Sequence, residues 1–153
     1  MSTKEKDVFC KFLEGVKVSD GCSSNLRKFL SITNKKLYGL KSHYCHILMQ
    51  KLLSVAIRSI LPKYVRLSII RLCSFFNTIC KKSISTGELN SLQKYVVETL
   101  CLIEKYFPPS LFDIMIHLCV HLVQEVQLCG PTYLRWMYPF ERYMQVFKGY
   151  INN

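Results

Sequence analysis

The spacing of apolar residues constrains the fold of this chain more than any other feature. Between positions 42 and 60 they recur at steps of three and four residues, at Ile47, Leu48, Leu52, Val55, Ala56 and Ile60. This period places them on one face of a helix. A second, more fully buried helix is predicted from Pro62 to the basic pair Lys81 and Lys82, because cations favour the carboxyl end of a helix.

Capping residues and prolines divide the rest of the chain. Two positions carry a serine followed three residues later by an acid, a pattern that caps helix N-termini: Ser85 with Glu88, and Ser110 with Asp113. They predict helices over 89–105 and 111–128. Pro139 should divide the last stretch into a short helix and a longer one that begins near Phe140.

These segments predict an all-α fold, a single irregular helical domain of about five to seven helices over residues 1–153. Residues 1–40 are expected to be a loosely helical lead-in, with weak helices over 4–16 and 24–30, and residues 41–150 the main helical core. The 50% apolar content is sufficient for one hydrophobic core.

The sequence favours a nuclear or cytoplasmic location. Its apolar runs fall short of the roughly 20 residues of a membrane helix, and its charged start does not resemble a signal peptide. The eight cysteines are scattered singly, without a CxxC pair. We expect most of them to be buried free thiols, and in the helices this applies to Cys73, Cys80, Cys101 and Cys119.

The net charge of +11 is concentrated in the first half of the chain. Residues 1–85 hold 16 Lys and Arg against 4 Asp and Glu (16 − 4 = +12), whereas residues 86–153 hold 5 against 6 (5 − 6 = −1). Such asymmetry favours an anionic partner, of which nucleic acid is the commonest. Solvated helix faces are the alternative. The candidate DNA-contacting residues are Lys35, Lys36, Lys41, Lys51, Arg58, Lys63 and Arg66.

Four histidines form two pairs, His43 with His46 and His117 with His121, and each spacing places both rings on one side of a helix. Neither pair is an HExxH motif, and no CxxC supports them. We therefore predict no metal site and keep the four only as weak candidates, beside the alternative of core or groove histidines. Neighbouring Cys45 and His46 would point about 100° apart on a helix, which argues against them as a catalytic pair.

The sequence gives little support to catalysis by paired carboxylates, because the acidic residues of the second half are dispersed. Glu141 stands out, since it lies among Arg135, Trp136 and Arg142, where structural ion pairing is the expected role. We find no pattern that indicates a cofactor or a small-molecule substrate.

Three blocks, in the same order, resemble one plant family. They are GLKSHYCHILMQ at 39–50, FPPSLFDIMIHLCVHL at 107–122 and GPTYLRWMYPFERY at 130–143. They are similar to the domain of unknown function that follows the transposase core in En/Spm-type (CACTA) DNA transposons. Residues 17–21 resemble the end of that core, and the likeness covers nearly residues 10–152.

The resemblance implies a transposon-derived plant protein whose full-length relatives bind element ends and cut DNA by a ribonuclease-H-like mechanism with acids and metal ions. The upstream region that carries the leading acids is missing here, and relatives continue beyond Asn153, so we expect a fragment or decayed copy that is not an enzyme. Tyr44 replaces the aspartate of the family pattern Ser-His-Asp-Cys-His. Glu141 is the best-matched candidate for a carried-over catalytic acid, with the four histidines as helpers, although two-metal chemistry requires several converging carboxylates.

Three functions follow in order of preference. The first is a non-catalytic, transposase-associated helical module that contacts DNA through its basic half. The second is a protein-interaction module that docks on a transposase core through the aromatic segment around Trp136, Tyr138, Phe140 and Tyr143. Core burial is the alternative for Trp136 and Phe140, because aromatic side chains dominate burial in domains of this size. The third is part of a metal-dependent DNA-cutting transposase.

Overall fold

The computed structural model describes residues 2–16, 29–31, 35–40, 42–135 and 137–151, without the side chains of His43, Tyr138, Pro139 and Arg142. The regular elements of the described part are helices apart from one small hairpin, so the predicted all-α class is confirmed. Segments 42–47, 48–52 and 53–56 run on without a break and are together called α2. The helices are α1 (Thr3–Gly15), α2 (42–56), α3 (Lys63–Ile79), α4 (Thr86–Tyr106), α5 (Ile114–Cys129) and α6 (Tyr138–Ile151).

The lead-in contains the hairpin that the sequence did not predict. Strands β1 (Leu30–Ser31) and β2 (Lys36–Leu37) pair antiparallel, with Leu30 opposite Leu37. Lys35 turns the chain with a φ of 50°. The helix predicted over 24–30 is therefore wrong at its end, where strand pairing satisfies the backbone instead, and residues 24–28 lie outside the described part. The weak helix predicted over 4–16 is confirmed as α1.

A change of helical phase corrects the predicted apolar face of α2. The middle of this helix, Leu48–Leu52, is π-helical, and the backbone N–H of Leu53 donates to the carbonyl of Leu48, five residues back. This inserts one residue into the helical repeat. Val55, predicted to face the core, is 53% exposed, whereas Ala56 and Ile57 are buried. The helix also ends at Ala56, earlier than the predicted position 60.

The main core lies where α3, α4 and α5 pack together. Its most deeply buried side chains come from all three helices: Phe75, Ile79, Val96, Ile103 and Val123. The predicted burial of α3 holds for Cys73 and Ile79 and fails for Leu67, which is 46% exposed. Phe75, rather than Phe76, is the fully buried aromatic residue of this helix.

Arg71 links α3 to α4 through one polar cluster. Its Nε donates to Thr99 Oγ1 at 3.1 Å, and its Nη2 lies 3.0 Å from Glu98 Oε2. The guanidinium also stacks over the ring of Tyr95, 4.2 Å from the centroid. Thr99 is buried and donates in turn to the Tyr95 carbonyl at 2.7 Å, so its hydroxyl both donates and accepts a hydrogen bond.

The two predicted caps differ in their outcome. Ser85 caps α4 as expected and accepts from the backbone N–H of Glu88 at 3.3 Å, while the Glu88 carboxylate pairs with Lys81 at 2.5 Å. At α5 the cap is Asp113 and not Ser110. Its Oδ1 accepts from the N–H groups of Met115 at 2.9 Å and Ile116 at 3.3 Å. The preceding 3₁₀ turn, Pro109–Leu111, moves the helix start to Ile114.

We expect Asp113→Ala to lower the free energy of unfolding by about 1 kcal/mol, because two backbone N–H groups lose their acceptor. Ser110→Ala, which removes the cap that the sequence alone predicts, should change it by less than about 0.5 kcal/mol. Urea denaturation followed by circular dichroism measures both. A larger loss for Ser110→Ala than for Asp113→Ala would contradict this assignment.

The cysteines divide into protected and accessible thiols. Of the seven that are described, Cys10, Cys73 and Cys119 are buried and Cys80 is partly buried. The prediction that most are buried is therefore too broad, and it is wrong for Cys101, which faces solvent beside Arg71 and Lys105. Cys22 lies outside the described residues.

Alkylation with iodoacetamide at neutral pH should modify the exposed thiols of Cys45, Cys101 and Cys129 first. Burial raises the pKa of the Cys73 thiol to about 11 and also raises the pKa of Cys119. Because the thiolate is the reactive form, these two should react only after denaturation. Peptide mass spectrometry before and after addition of guanidinium checks this order, and early labelling of Cys73 would contradict it.

Candidate nucleic-acid interface

Three of the predicted DNA-contacting residues line one groove. Arg58, Lys63 and Arg66 surround a cavity of about 610 Å³ between the end of α2 and the start of α3. The remaining lining residues are Ser54, Val55, Leu67 and Ile70. We call these seven residues the basic groove. It has a cationic rim and an apolar wall, and it is open to solvent.

The turn between α2 and α3 holds Arg58 at this groove. Ile57 and Ile60 are buried on either side of it, with exposures of 2% and 8%. The Arg58 N–H donates to the Val55 carbonyl at 3.1 Å, and the Ile60 N–H donates to the Ile57 carbonyl at 3.2 Å. Because the two isoleucines anchor the turn in the core, the intervening arginine is left on the solvent side.

Helical spacing places the other two cations on the same side. The helix α3 begins at Lys63, and Arg66, Leu67 and Ile70 follow it by three, four and seven positions. This spacing places all four residues on one face of the helix. The structure confirms that this face lines the groove. The two helices therefore contribute to one continuous surface.

The N-terminus of α3 is itself favourable to anions. Its cap position is Pro62, which provides no side-chain acceptor for the first N–H groups, and no acidic residue lies in the first turn. Lys63 and Arg66 lie there instead, at the positive end of the helix dipole. Cations at this end destabilise the helix. A bound anion would interact favourably with the helix dipole and accept hydrogen bonds from the free N–H groups.

The groove concentrates charge that the described residues do not neutralise. Arg66 Nη1 donates to the carbonyl of Arg58, which brings the two arginines together. Among the side chains that the structure describes, neither these arginines nor Lys63 forms an ion pair with a carboxylate. An anion in the groove would therefore contact cations that have no competing acid partner.

Three of the other four predicted residues lie in the described part and do not line this groove. Lys35 is neutralised by Asp7, with Nζ and Oδ1 2.7 Å apart. Lys36 lies exposed in β2, and Lys51 lies in the π-helical part of α2. Lys41 falls outside the described residues. Of the six predicted residues that the structure describes, three thus line the groove.

The sequence around the groove contains a signal that the count of charge by halves does not show. Residues 21–87 contain no Asp or Glu at all, although they carry 12 Lys and Arg. The net charge of residues 1–85 does not reveal this acid-free stretch, because the four acids of that half all lie before residue 21. A window without acids indicates more directly where cations remain unpaired.

The candidate metal and catalytic residues are dispersed. His117 and His121 are exposed on α5, and not buried in the core, with their Nε2 atoms 3.4 Å apart. His46 is partly buried at the end of the segment Ser42–Ile47, and the side chain of His43 lies outside the described part. Within the described ranges, no three metal-binding side chains converge.

Glu141 lies exposed in the first turn of α6, where a carboxylate favours the helix dipole. The expected ion pair cannot be assigned to Arg135, whose Nη1 lies 3.8 Å from Glu125 Oε2. Trp136 and the Arg142 side chain fall outside the described residues. The position of Tyr44 is clear: its ring packs against Phe29, with centroids 4.7 Å apart.

The aromatic C-terminal segment forms an exposed apolar face. Every described side chain of α6 is exposed. Its apolar residues repeat at steps of three and four and lie on one side of the helix: Phe140, Tyr143, Met144, Phe147, Tyr150 and Ile151. Core burial, the expectation for Phe140, is wrong, since its exposure is 62%.

Comparison with known proteins finds one similarity, which lies in the C-terminal part of the chain. Residues 79–153 match the family described as a domain of unknown function, DUF4218. The DUF4218 segment begins at the last residue of α3 and includes α4, α5 and α6. No curated protein and no solved structure matches the chain. The basic groove therefore lies outside the DUF4218 segment, whereas the exposed face of α6 lies within it.

No helix in the part of the chain that the structure describes has both the length and the apolar character needed to cross a membrane.

Proposed function

We propose that this chain is a non-catalytic, transposon-derived helical module that contacts the DNA backbone through the basic groove. The observation that carries the proposal is the convergence of Arg58, Lys63 and Arg66 on one groove without a carboxylate partner among the described residues. The resemblance of three sequence blocks to the CACTA transposase-associated domain supports the transposon origin.

The groove suits phosphates better than base edges. A backbone phosphate carries one negative charge and accepts from arginine in a forked geometry, and a helix N-terminus adds backbone donors. Phosphate contacts of this kind fix the position of a protein on DNA without selecting a sequence. The proposed role is therefore anchoring that does not depend on DNA sequence, next to whatever reads or cuts the element ends.

Fluorescence anisotropy with a labelled DNA duplex across a salt series tests the proposal. Three phosphate contacts predict a slope of about −2.7 for log affinity against log salt, which is a loss of about 40-fold between 50 and 200 mM. A second duplex of unrelated sequence should bind equally well. Polyaspartate should compete less well than DNA at equal charge, because carboxylates are more widely spaced along a flexible chain.

Binding that is absent, or that does not depend on salt, would remove DNA as the partner. Strong preference for one duplex would contradict anchoring through the phosphate backbone alone. Circular dichroism on the same sample confirms that the protein is folded and helical in either case.

The exposed face of α6 favours a second candidate function, docking on a transposase core supplied by another chain. Large apolar side chains on one face of a surface helix are unusual in a monomer and mark interaction sites. Phe140→Ser with Phe147→Ser should weaken binding to a purified core of the resembling family, measured by calorimetry, and should leave DNA affinity unchanged. Equal binding by the variant and the unchanged chain would remove this candidate.

A further inference from the structure

The geometry of His117 and His121 points to a two-imidazole zinc site on the exposed face of α5, and we propose that this chain binds zinc there. Their Nε2 atoms are 3.4 Å apart, and both side chains face solvent. The ring centroids are 5.2 Å apart with an interplanar angle of 68°. One helical turn separates the residues, so the helix itself fixes the spacing.

The two Nε2 atoms are within hydrogen-bonding distance of each other, and the same separation is compatible with tetrahedral zinc. Zinc binds histidine nitrogen at about 2.0–2.1 Å, so two nitrogens at a tetrahedral angle lie about 3.3–3.4 Å apart. An octahedral ion with the same bond length would need them closer, at about 2.9–3.0 Å. The separation of the pair therefore suits tetrahedral zinc, with both exposed rings directing their Nε2 lone pairs at the metal in place of the hydrogen bond between them.

The surroundings leave the remaining coordination positions open. Glu125 lies one turn further along α5, but it pairs with Arg135 and does not reach the histidines as a third ligand. Among the described residues no third metal-binding group joins the pair, so two positions would hold water or an atom of another molecule. An open site of this type binds metal less tightly than a closed structural site.

The site is independent of the proposed DNA contact, because none of its residues lines the basic groove. It does not require a catalytic role for zinc. Metal bound across one turn would stabilise α5, since ligand that binds only the folded state raises the free energy of unfolding.

Exposed thiols are the competing ligands, so the test begins with a chain in which Cys45, Cys101 and Cys129 are changed to serine. Cobalt is titrated first, because a cobalt–thiolate bond gives a charge-transfer band in the near ultraviolet and a cobalt–imidazole bond does not. Zinc is then added to displace the cobalt. We expect one cobalt per chain, no thiolate band and full displacement by zinc.

His117→Asn and His121→Asn should each weaken cobalt and zinc binding at least tenfold, while Gln124→Ala, an exposed neighbour on α5, should leave it unchanged. Both histidines are exposed, so helical content by circular dichroism should stay the same. In the unchanged chain, zinc should shift the imidazole C–H resonances of these two residues in the proton spectrum. Equal affinity in the histidine variants, unshifted imidazole resonances, or loss of binding on removal of the three thiols would each overturn the proposal.

Discussion

Changing Arg58, Lys63 and Arg66 together to alanine should abolish most of the DNA affinity. Each lost phosphate contact lowers the salt slope by about one, so the slope should fall from about −2.7 to near zero. At 50 mM salt the affinity should drop at least about 30-fold. The three side chains lie at the rim of an open groove, so the helical content of the variant should be unchanged. Anisotropy across the same salt series measures both quantities.

The matched control removes the same charge from another surface. Lys4, Lys6 and Lys11 are exposed on α1, away from the groove lining, and their change to alanine also lowers the net charge by three. We expect this variant to keep most of the dependence of DNA affinity on salt concentration. If both triple variants lose affinity equally, the interaction depends on total charge and the groove has no special role.

Phe75→Ala should be the most damaging single change to stability. Phe75 is fully buried between helices, with an exposure of 0%, and its removal leaves a cavity that rigid neighbours cannot fill. The expected cost is about 3–5 kcal/mol, a large part of the stability of a typical domain. The midpoint of thermal unfolding should fall by about 10 °C or more.

The neighbouring positions supply the controls. Phe76 packs against the same core but stays partly exposed, and Ser74 is exposed. Phe76→Ala should cost clearly less than Phe75→Ala, and Ser74→Ala should change the free energy of unfolding by less than about 0.5 kcal/mol. A larger loss at Phe76 would place the core on the other side of α3.

Local sequence signals located most of the helices. Ser85, Pro108 and Gly130 act through short-range backbone geometry, and they mark the helix boundaries close to where the structure has them. The hairpin before α2 and the π-helical turn within it were not predictable in the same way. A two-residue strand leaves no alternation to detect, and an inserted residue shifts the helical phase without changing the pattern of apolar letters.

Burial was predicted less well than helical structure. Cys101 and Phe140 are apolar residues on predicted helices, yet they are exposed because the packing partner, and not the helix, decides which face is covered. Leu67 is exposed for the same reason. Tertiary contacts of this kind are not encoded in the local period.

The sequence predicted the positive charge of the candidate site, but it did not predict which residues form the site. Charge asymmetry indicated an anionic partner, and three of the seven suggested residues converge. The sequence could not show that Asp7 neutralises Lys35, since they come from separate elements. It also could not show that the turn after α2 would bring Arg58 beside Arg66.

Hydrogen exchange with and without a DNA duplex tests the central claim most directly, since it locates the contact on the chain. We predict slower exchange in peptides covering residues 54–70, which include the basic groove, and unchanged exchange in peptides from α6. Protection limited to α6 or to other segments, with residues 54–70 unaffected, would contradict the assignment of the groove as the nucleic-acid interface.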